Sequence, residues 1–118
     1  MKQTAVWIDH HKAYIFDYEA DGIHERELTP HHHHGKVTKE DLRKFYHDLA
    51  NSLNHAECIL VVGPGVAKEE FKNHCEDHHQ KVCKAIVKVE TMKDHPTQDQ
   101  ILKVSNKFFK QQFSWMGV

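Results

Sequence analysis

The sequence contains four consecutive histidines, His31 to His34, within the segment Thr29 to Lys36. Four adjacent side chains cannot share one buried face of a helix or strand, so we expect an exposed loop. An exposed imidazole can bind a transition metal, hydrogen-bond a phosphate or stack on a base, and it titrates near neutral pH. Adjacent histidines suit a tetrahedral metal site poorly, because such ligands are usually about two to five residues apart.

We therefore favour RNA contact over metal capture for this loop. The candidate residues are His31, His32, His33, His34, Gly35 and Lys36. The alternative is a solvated low-complexity loop without a fixed role. The run is internal to the sequence, so it does not resemble a purification tag appended to a terminus.

A second group of potential metal ligands lies between His74 and Cys83. His74 and His78 are one helical turn apart, so both could face one zinc or copper ion, with Cys75 or Cys83 completing the shell. In the alternative interpretation, the cysteines are small core residues and the histidines form a polar helix end, where imidazolium suits the helix dipole. We favour the alternative and keep all four residues as candidate zinc ligands.

A glycine-rich turn at Gly63 to Lys68 offers a third candidate site. It places backbone N–H groups and a lysine where a helix is predicted to begin, an arrangement that favours phosphate. The GxxxxGK[ST] spacing of a P-loop is absent. A tight strand-to-helix turn explains the same residues, and RNA phosphate contact by Gly63, Gly65 and Lys68 is compatible with it.

Composition limits the classes of protein that this chain can represent. At 118 residues the chain fits one domain, and its net charge is −1 with the 13 histidines neutral. Protonation of those histidines below a pH of about 6.5 adds positive charge. Three cysteines without a CxxC pair argue against a disulfide scaffold. Because no apolar run approaches roughly 18 residues and no signal-peptide profile opens the sequence, we expect a cytoplasmic protein without a membrane partner.

Three strands are predicted at the start of the chain, at Thr4 to Ile8, Lys12 to Tyr18 and Ile23 to Leu28. Asp21-Gly22 is a favourable hairpin turn. The connections are too short for parallel crossovers, so the three strands form an antiparallel meander.

Helices and strands alternate in the rest of the chain. A helix follows the capping pair Thr38 and Asp41, and another begins near Val66 and stops near Asp77. Buried strands are predicted at Ile59 to Val62 and at Val82 to Val89. A final helix, capped by Thr97 and Gln100, has an apolar face at Ile101, Leu102, Val104, Phe108 and Phe109.

The resulting order is β-β-β-α-β-α-β-α. Right-handed crossovers place strand four beside strand one and strand five outside it. The sequence therefore predicts a mixed five-stranded sheet of order 3-2-1-4-5 in a three-layer α/β/α domain, the ribonuclease H-like arrangement, over residues 1–118. Trp7 and Phe16 are expected in the core.

Within this order, three segments resemble a known family. The segment CILVVGPGVAKEEFKNH, Cys58 to His74, resembles the strand, turn and helix of the central domain of the eukaryotic and archaeal class-I release factor and of Pelota. The opening AVWIDHHKAYIF and the closing DHPTQDQILKVSNKFF are similar to bacterial members of this group, called translational machinery proteins. The resemblance covers essentially the whole chain.

The resemblance implies a role for the loop before the first helix. In the release factors this loop carries the Gly-Gly-Gln motif, which promotes hydrolysis of peptidyl-tRNA, and by position it corresponds to His31 to Lys36. No glutamine occurs between Gln3 and Gln80, and only Gly35 could match a motif glycine. The resemblance thus implies contact with the ribosome, rRNA or tRNA without implying peptide release.

Two other functions remain open. A hydrolase could use the loop imidazoles as a general base on peptidyl-tRNA, or Asp9 as a metal-binding carboxylate of a divergent nuclease. Two-metal hydrolysis needs several converging carboxylates, and the end of strand four supplies none, so we expect Asp9 to accept hydrogen bonds in its own turn. The other alternative is a histidine-rich metal-binding protein. A homo-oligomer is compatible with either.

Overall fold

Nine helices and strands form within the residues that the computed structural model describes, 2–31 and 35–115. In chain order they are β1 (Gln3–Ile8), β2 (Ala13–Glu19), β3 (Gly22–Leu28), α1 (Lys39–Ser52), β4 (Cys58–Gly63), α2 (Ala67–His78), α3 (Gln80–Ala85), β5 (Ile86–Thr91) and α4 (Gln98–Trp115). None of the described helices combines the length and the apolar character that a bilayer crossing requires.

The five strands form one mixed sheet in the predicted order, β3-β2-β1-β4-β5. β1 pairs antiparallel with β2, and β2 pairs antiparallel with β3. β4 lies parallel to both β1 and β5. The predicted meander and the predicted ribonuclease H-like order are therefore both confirmed.

The two faces of the sheet supply two separate apolar cores. Side chains alternate along a strand, so Val6 and Ile8 of β1 face α1, α2 and α3, whereas Trp7 faces α4. β4 follows the same alternation, and this explains why its apolar run is uninterrupted. Trp7 and Phe16 are at most 1% exposed, which confirms their predicted place in the core.

Two reciprocal caps begin the helices that the sequence predicted. The Thr38 hydroxyl accepts a hydrogen bond from the Asp41 N–H, and the Asp41 carboxylate accepts one from the Thr38 N–H. Thr97 and Gln100 make the equivalent exchange at the start of α4. Each pair satisfies N–H groups that have no partner inside the helix.

The predicted strand Val82 to Val89 is wrong in its first half. Residues Gln80–Ala85 form the short helix α3, and β5 starts only at Ile86. Val82, Ala85 and Ile86 are buried at spacings of three and four residues, which is a helical pattern. β5 lies at the sheet edge, where residues such as Val87 and Lys88 are exposed, so its own alternation is weak.

A buried carboxylate joins the antiparallel strands to the segment after α1. Asp17 of β2 is 6% exposed and accepts hydrogen bonds from Thr4 Oγ1 at 3.0 Å and Arg26 Nε at 2.7 Å. His55 Nε2 lies 2.9 Å from the same carboxylate. Burial raises the pKa of Asp17, but the hydrogen bonds from Arg26, His55 and Thr4 outweigh it, so the net pKa is lowered.

The parallel strands β1 and β4 leave no room for a side chain at Gly63. A Cβ atom at this position would lie 2.2 Å from the carbonyl oxygen of Ile8, a contact that backbone atoms cannot relieve easily. A Cβ atom on Gly65 would have no heavy atom within 4 Å. Gly63 is therefore needed by the sheet itself, whereas Gly65 is not.

We expect Asp17→Asn to lower the free energy of unfolding by about 2 kcal/mol near neutral pH, because Arg26 and His55 lose a buried anionic acceptor. Since the folded-state pKa of Asp17 is lowered, its contribution is present above the unfolded value of 3.8 and is lost as pH falls below it. Urea unfolding of both proteins at neutral and acidic pH measures this difference. Asp21→Asn, an exposed carboxylate paired with His24, is the control and should change nothing measurable. A constant difference between wild type and Asp17→Asn at all pH values would contradict the argument.

The second expectation concerns Gly63→Ala. The added methyl group should force β1 and β4 apart and destabilise the fold by about 2 kcal/mol or more. Gly65→Ala is the matched control and should be neutral, because its methyl group meets open space. Thermal unfolding of the two variants distinguishes them, and equal melting temperatures would refute the close approach.

Candidate functional site

The candidate RNA-contacting segments lie at one edge of the sheet. β1, β3, β4 and β5 run in the same direction, so their carboxyl ends share this edge, and α1, α2 and α4 begin there. The connection from β3 to α1 contains His31 to Lys36, and the connection from β4 to α2 contains Gly65. Helix N-termini carry partial positive charge, and those of α1, α2 and α4 converge on this edge. We call it the carboxyl edge.

The turn after β1 belongs to the carboxyl edge and is organised by Asp9. Its carboxylate accepts hydrogen bonds from the N–H groups of His11 at 2.7 Å and Lys12 at 2.9 Å. The Asp9 N–H donates to the Lys12 carbonyl at 3.0 Å. The predicted role of Asp9 as a turn acceptor is confirmed.

A hydrogen-bonded group that the sequence did not predict links this turn to two helices. The Glu70 carboxylate accepts from the Tyr46 hydroxyl at 2.7 Å and lies 2.9 Å from His10 Nε2. Burial raises the pKa of Glu70, but the hydrogen bonds from Tyr46 and His10 outweigh this effect. The net pKa is therefore lowered, which favours the ionised carboxylate. Burial and the bond to Glu70 raise the pKa of Tyr46. The three residues are far apart in sequence, and no local pattern signals their contact.

An open cleft of about 320 Å³ lies between the turn after β1 and the start of α2. Its lining includes Asp9, His10, His11, Gly65, Val66 and Asp94. Val66 at the N-cap of α2 has no side-chain oxygen, so it cannot accept a bond from the first N–H groups of the helix. The cleft therefore combines two imidazoles with a helix N-terminus, and two carboxylates flank them.

The predicted surface position of the Lys68 side chain is wrong. The sequence placed its ammonium group at the surface for phosphate contact, but the residue is only 4% exposed. Its Nζ donates to the carbonyl oxygen of Gly65 and lies 3.6 Å from the Glu69 carboxylate. Gly63 is buried within β4, so only Gly65 of the three predicted contact residues is exposed at the cleft. The Lys68 side chain folds back toward Gly65, three residues earlier in the chain, and the sequence pattern does not indicate this direction.

The histidine loop is described at its two ends. His31, Gly35 and Lys36 are exposed, and Gly35 has a φ of 77°, a left-handed value that suits glycine. His32, His33 and His34 lie outside the described residues. The ends of the loop fit the predicted exposure.

The four predicted zinc ligands are not brought together. Cys75 is fully buried in the core, and burial raises its pKa to about 12, which disfavours the metal-binding thiolate. Cys83 packs half-buried against the same core, and His78 is exposed. Within residues 2–31 and 35–115, the group whose ligand atoms converge is instead His47, His74 and His79, all within 4.8 Å of one another.

Only His74 is shared between the predicted set and the observed group. Burial, together with His78, His79, His47 and Arg43, lowers its pKa to about 4. Within the part of the chain that the structure describes, its buried Nε2 has no hydrogen-bond partner. His47 comes from α1 and could not have been assigned from sequence spacing, because it lies 32 positions before His79.

No protein-family model matches the chain, and neither does any curated protein sequence. Solved structures do match. Pelota from Thermoplasma acidophilum has a TM-score of 0.67 and 21% identity, covering 87% of this chain and 31% of that protein. Pelota from Archaeoglobus fulgidus has a TM-score of 0.65 and 16% identity, covering 90% and 31%. An archaeal translation termination factor, aRF1, has a TM-score of 0.56 and 18% identity, covering 87% and 32%.

These likenesses concern the fold. The chain spans about a third of the length of each of these three proteins. The predicted resemblance to Pelota and to the archaeal release factor is therefore confirmed for the fold of one such portion.

Proposed function

We propose that this chain is a translation-associated binding domain that contacts the ribosome, through rRNA, or tRNA at its carboxyl edge. The observation that carries the proposal is the shared fold with Pelota and the archaeal termination factor over nearly the whole chain. We place the domain over residues 1–118 and in the cytoplasm.

The position of the histidine loop supports this assignment. Its residues connect β3 to α1, the connection that the resemblance associates with the functional loop of release factors. His31 and Lys36 are exposed at its ends, and the cleft with Gly65 lies on the same edge of the sheet. We assign the primary RNA contact to His31 to Lys36 and a secondary phosphate contact to Gly65 at the start of α2.

Charge determines the conditions under which such contact is strong. The first turns of α1 and α2 carry Glu40, Asp41, Glu69 and Glu70, which offset the positive helix ends. Lys68 is turned inward and adds little attraction. The loop imidazoles, together with His10 and His11 of the cleft, can therefore make this edge attractive to phosphate when they are protonated.

We expect ribosome or tRNA binding to strengthen as pH falls from about 7.5 to about 6, because loop histidines gain charge. Added salt should weaken binding through counterion release. Replacing His31 to His34 with serine should greatly reduce the pH dependence, because only His10 and His11 of the cleft remain on this edge among the described residues, and it should leave the fold intact. Co-sedimentation with ribosomes and tRNA titration, each at two pH values, measure both effects.

His24→Ser is the matched control for this experiment. His24 is exposed and lies near the start of β3, at the opposite edge of the sheet from the loop, so its loss should not alter binding. Equal binding by wild type and by the loop variant would eliminate the loop as the contact. If neither wild type nor the loop variant binds, the similarity to Pelota and the archaeal termination factor concerns the fold alone.

The alternative function is a nuclease activity in the cleft, and it can be tested directly. Asp9 and Asp94 line it, but the described residues contain no converging group of three carboxylates. We expect purified protein with Mg²⁺ or Mn²⁺ to leave tRNA and rRNA uncut in a gel assay. Metal-dependent cleavage that Asp9→Asn abolishes would replace the binding proposal with a hydrolase.

A further inference from the structure

Three histidines from separate parts of the chain meet on the side of the sheet that α1, α2 and α3 cover. His47 lies beyond the middle of α1, His74 lies in the last half of α2, and His79 follows α2 directly. Ring centroids are 4.9 Å apart for His47 and His79 and 5.3 Å apart for His74 and His79. We call these residues the histidine triad. α2 runs away from the carboxyl edge, so the triad lies apart from the proposed RNA contact.

The spacing of the ligand atoms approaches that of a metal shell. In a tetrahedral zinc site with Zn–N bonds of about 2.0 Å, neighbouring nitrogens are about 3.3 Å apart. Nδ1 of His47 lies 3.1 Å from Nε2 of His79, which already matches this separation. One ligand atom from each of the three rings lies within 4.8 Å of the other two, so no separation exceeds the tetrahedral value by more than about 1.5 Å.

Two further observations point to a ligand rather than to a packing contact. Nε2 of His74 is buried and has no hydrogen-bond partner among the described residues, a costly arrangement that a bound ion would relieve. The amide of Asn51 lies 3.2 Å from Nε2 of His47, the ring nitrogen opposite the one that faces His79. Metal-binding histidines usually fix their other nitrogen in this way. His47 is exposed and the other two are half-buried, so an ion can enter from solvent.

We propose that His47, His74 and His79 bind one Zn²⁺ ion, with the fourth position left to water. Three imidazoles and an open position form an established zinc shell, and imidazole prefers borderline metals to Mg²⁺ or Ca²⁺. The ion would join α1 to the junction between α2 and α3. This site is independent of RNA contact and differs from the set His74, Cys75, His78 and Cys83.

The experiment must first remove the four-histidine run, which could also capture metal. We use the full chain with His31 to His34 replaced by serine as the background and titrate it with ZnCl₂ by calorimetry. We expect one equivalent to bind. Because the three ligands converge only in the folded state, zinc should bind that state more tightly, and the melting temperature should rise with zinc concentration.

Three substitutions in this background test the assignment. His47→Gln and His79→Gln should each weaken zinc binding more than about 10-fold, because each removes a ligand. His78→Gln is the matched control, since His78 is exposed and its ring lies 4.9 Å from His74, yet it falls outside the triad. It should leave the affinity unchanged. Circular dichroism of the zinc-free proteins verifies that all variants are folded.

Each result supports or overturns the proposal. One equivalent of zinc, lost in His47→Gln and His79→Gln but retained in His78→Gln, supports it. No saturable binding by the background protein overturns it. Binding that survives His47→Gln, or that is lost in His78→Gln, overturns it in favour of a different ligand set.

Discussion

The central parallel pair, β1 and β4, constrains the rest of the molecule. Both strands are covered by helices on one face and by α4 on the other, so nearly every side chain in them is buried. A buried parallel pair requires a helical crossover, and α1 provides it. The close approach at Gly63 then brings the start of α2 beside the turn after β1. The candidate cleft is a direct consequence of this pairing.

The same constraint explains the electrostatics of the carboxyl edge. Parallel strands with returning helices place several helix N-termini together, which favours anions. The chain counters this with acidic first turns and with Lys68 turned toward the Gly65 carbonyl. Under the proposed function, we expect this edge to attract phosphate weakly near neutral pH. The histidine loop can shift that balance because imidazole is the side chain that titrates in this range.

Packing of α1 against α2 has a different result further along the helices. Near the carboxyl edge it joins Tyr46 and Glu70, whereas toward the end of α2 it brings His47 beside His74. Both groups bridge the same two helices. One stabilises a carboxylate, and the other brings imidazole nitrogens together. Because Tyr46 directly precedes His47 and its ring lies 6.2 Å from that of His74, the two groups adjoin each other along this helical pair.

The sequence by itself determined the strands, their order, the caps at Thr38 and Thr97 and the exposed loop ends, because alternation, capping and turn chemistry act between neighbouring residues. The sequence pattern predicted strand where α3 forms, because Val82 and Ala85 span a single turn, which is too short to establish a helical period. It also misplaced Lys68, whereas the favoured interpretation of Cys75 as a core residue agrees with its burial. Only the tertiary structure decided those positions and brought His47 to His74, because they depend on which helix faces pack together, and contacts between residues distant in sequence leave no local pattern.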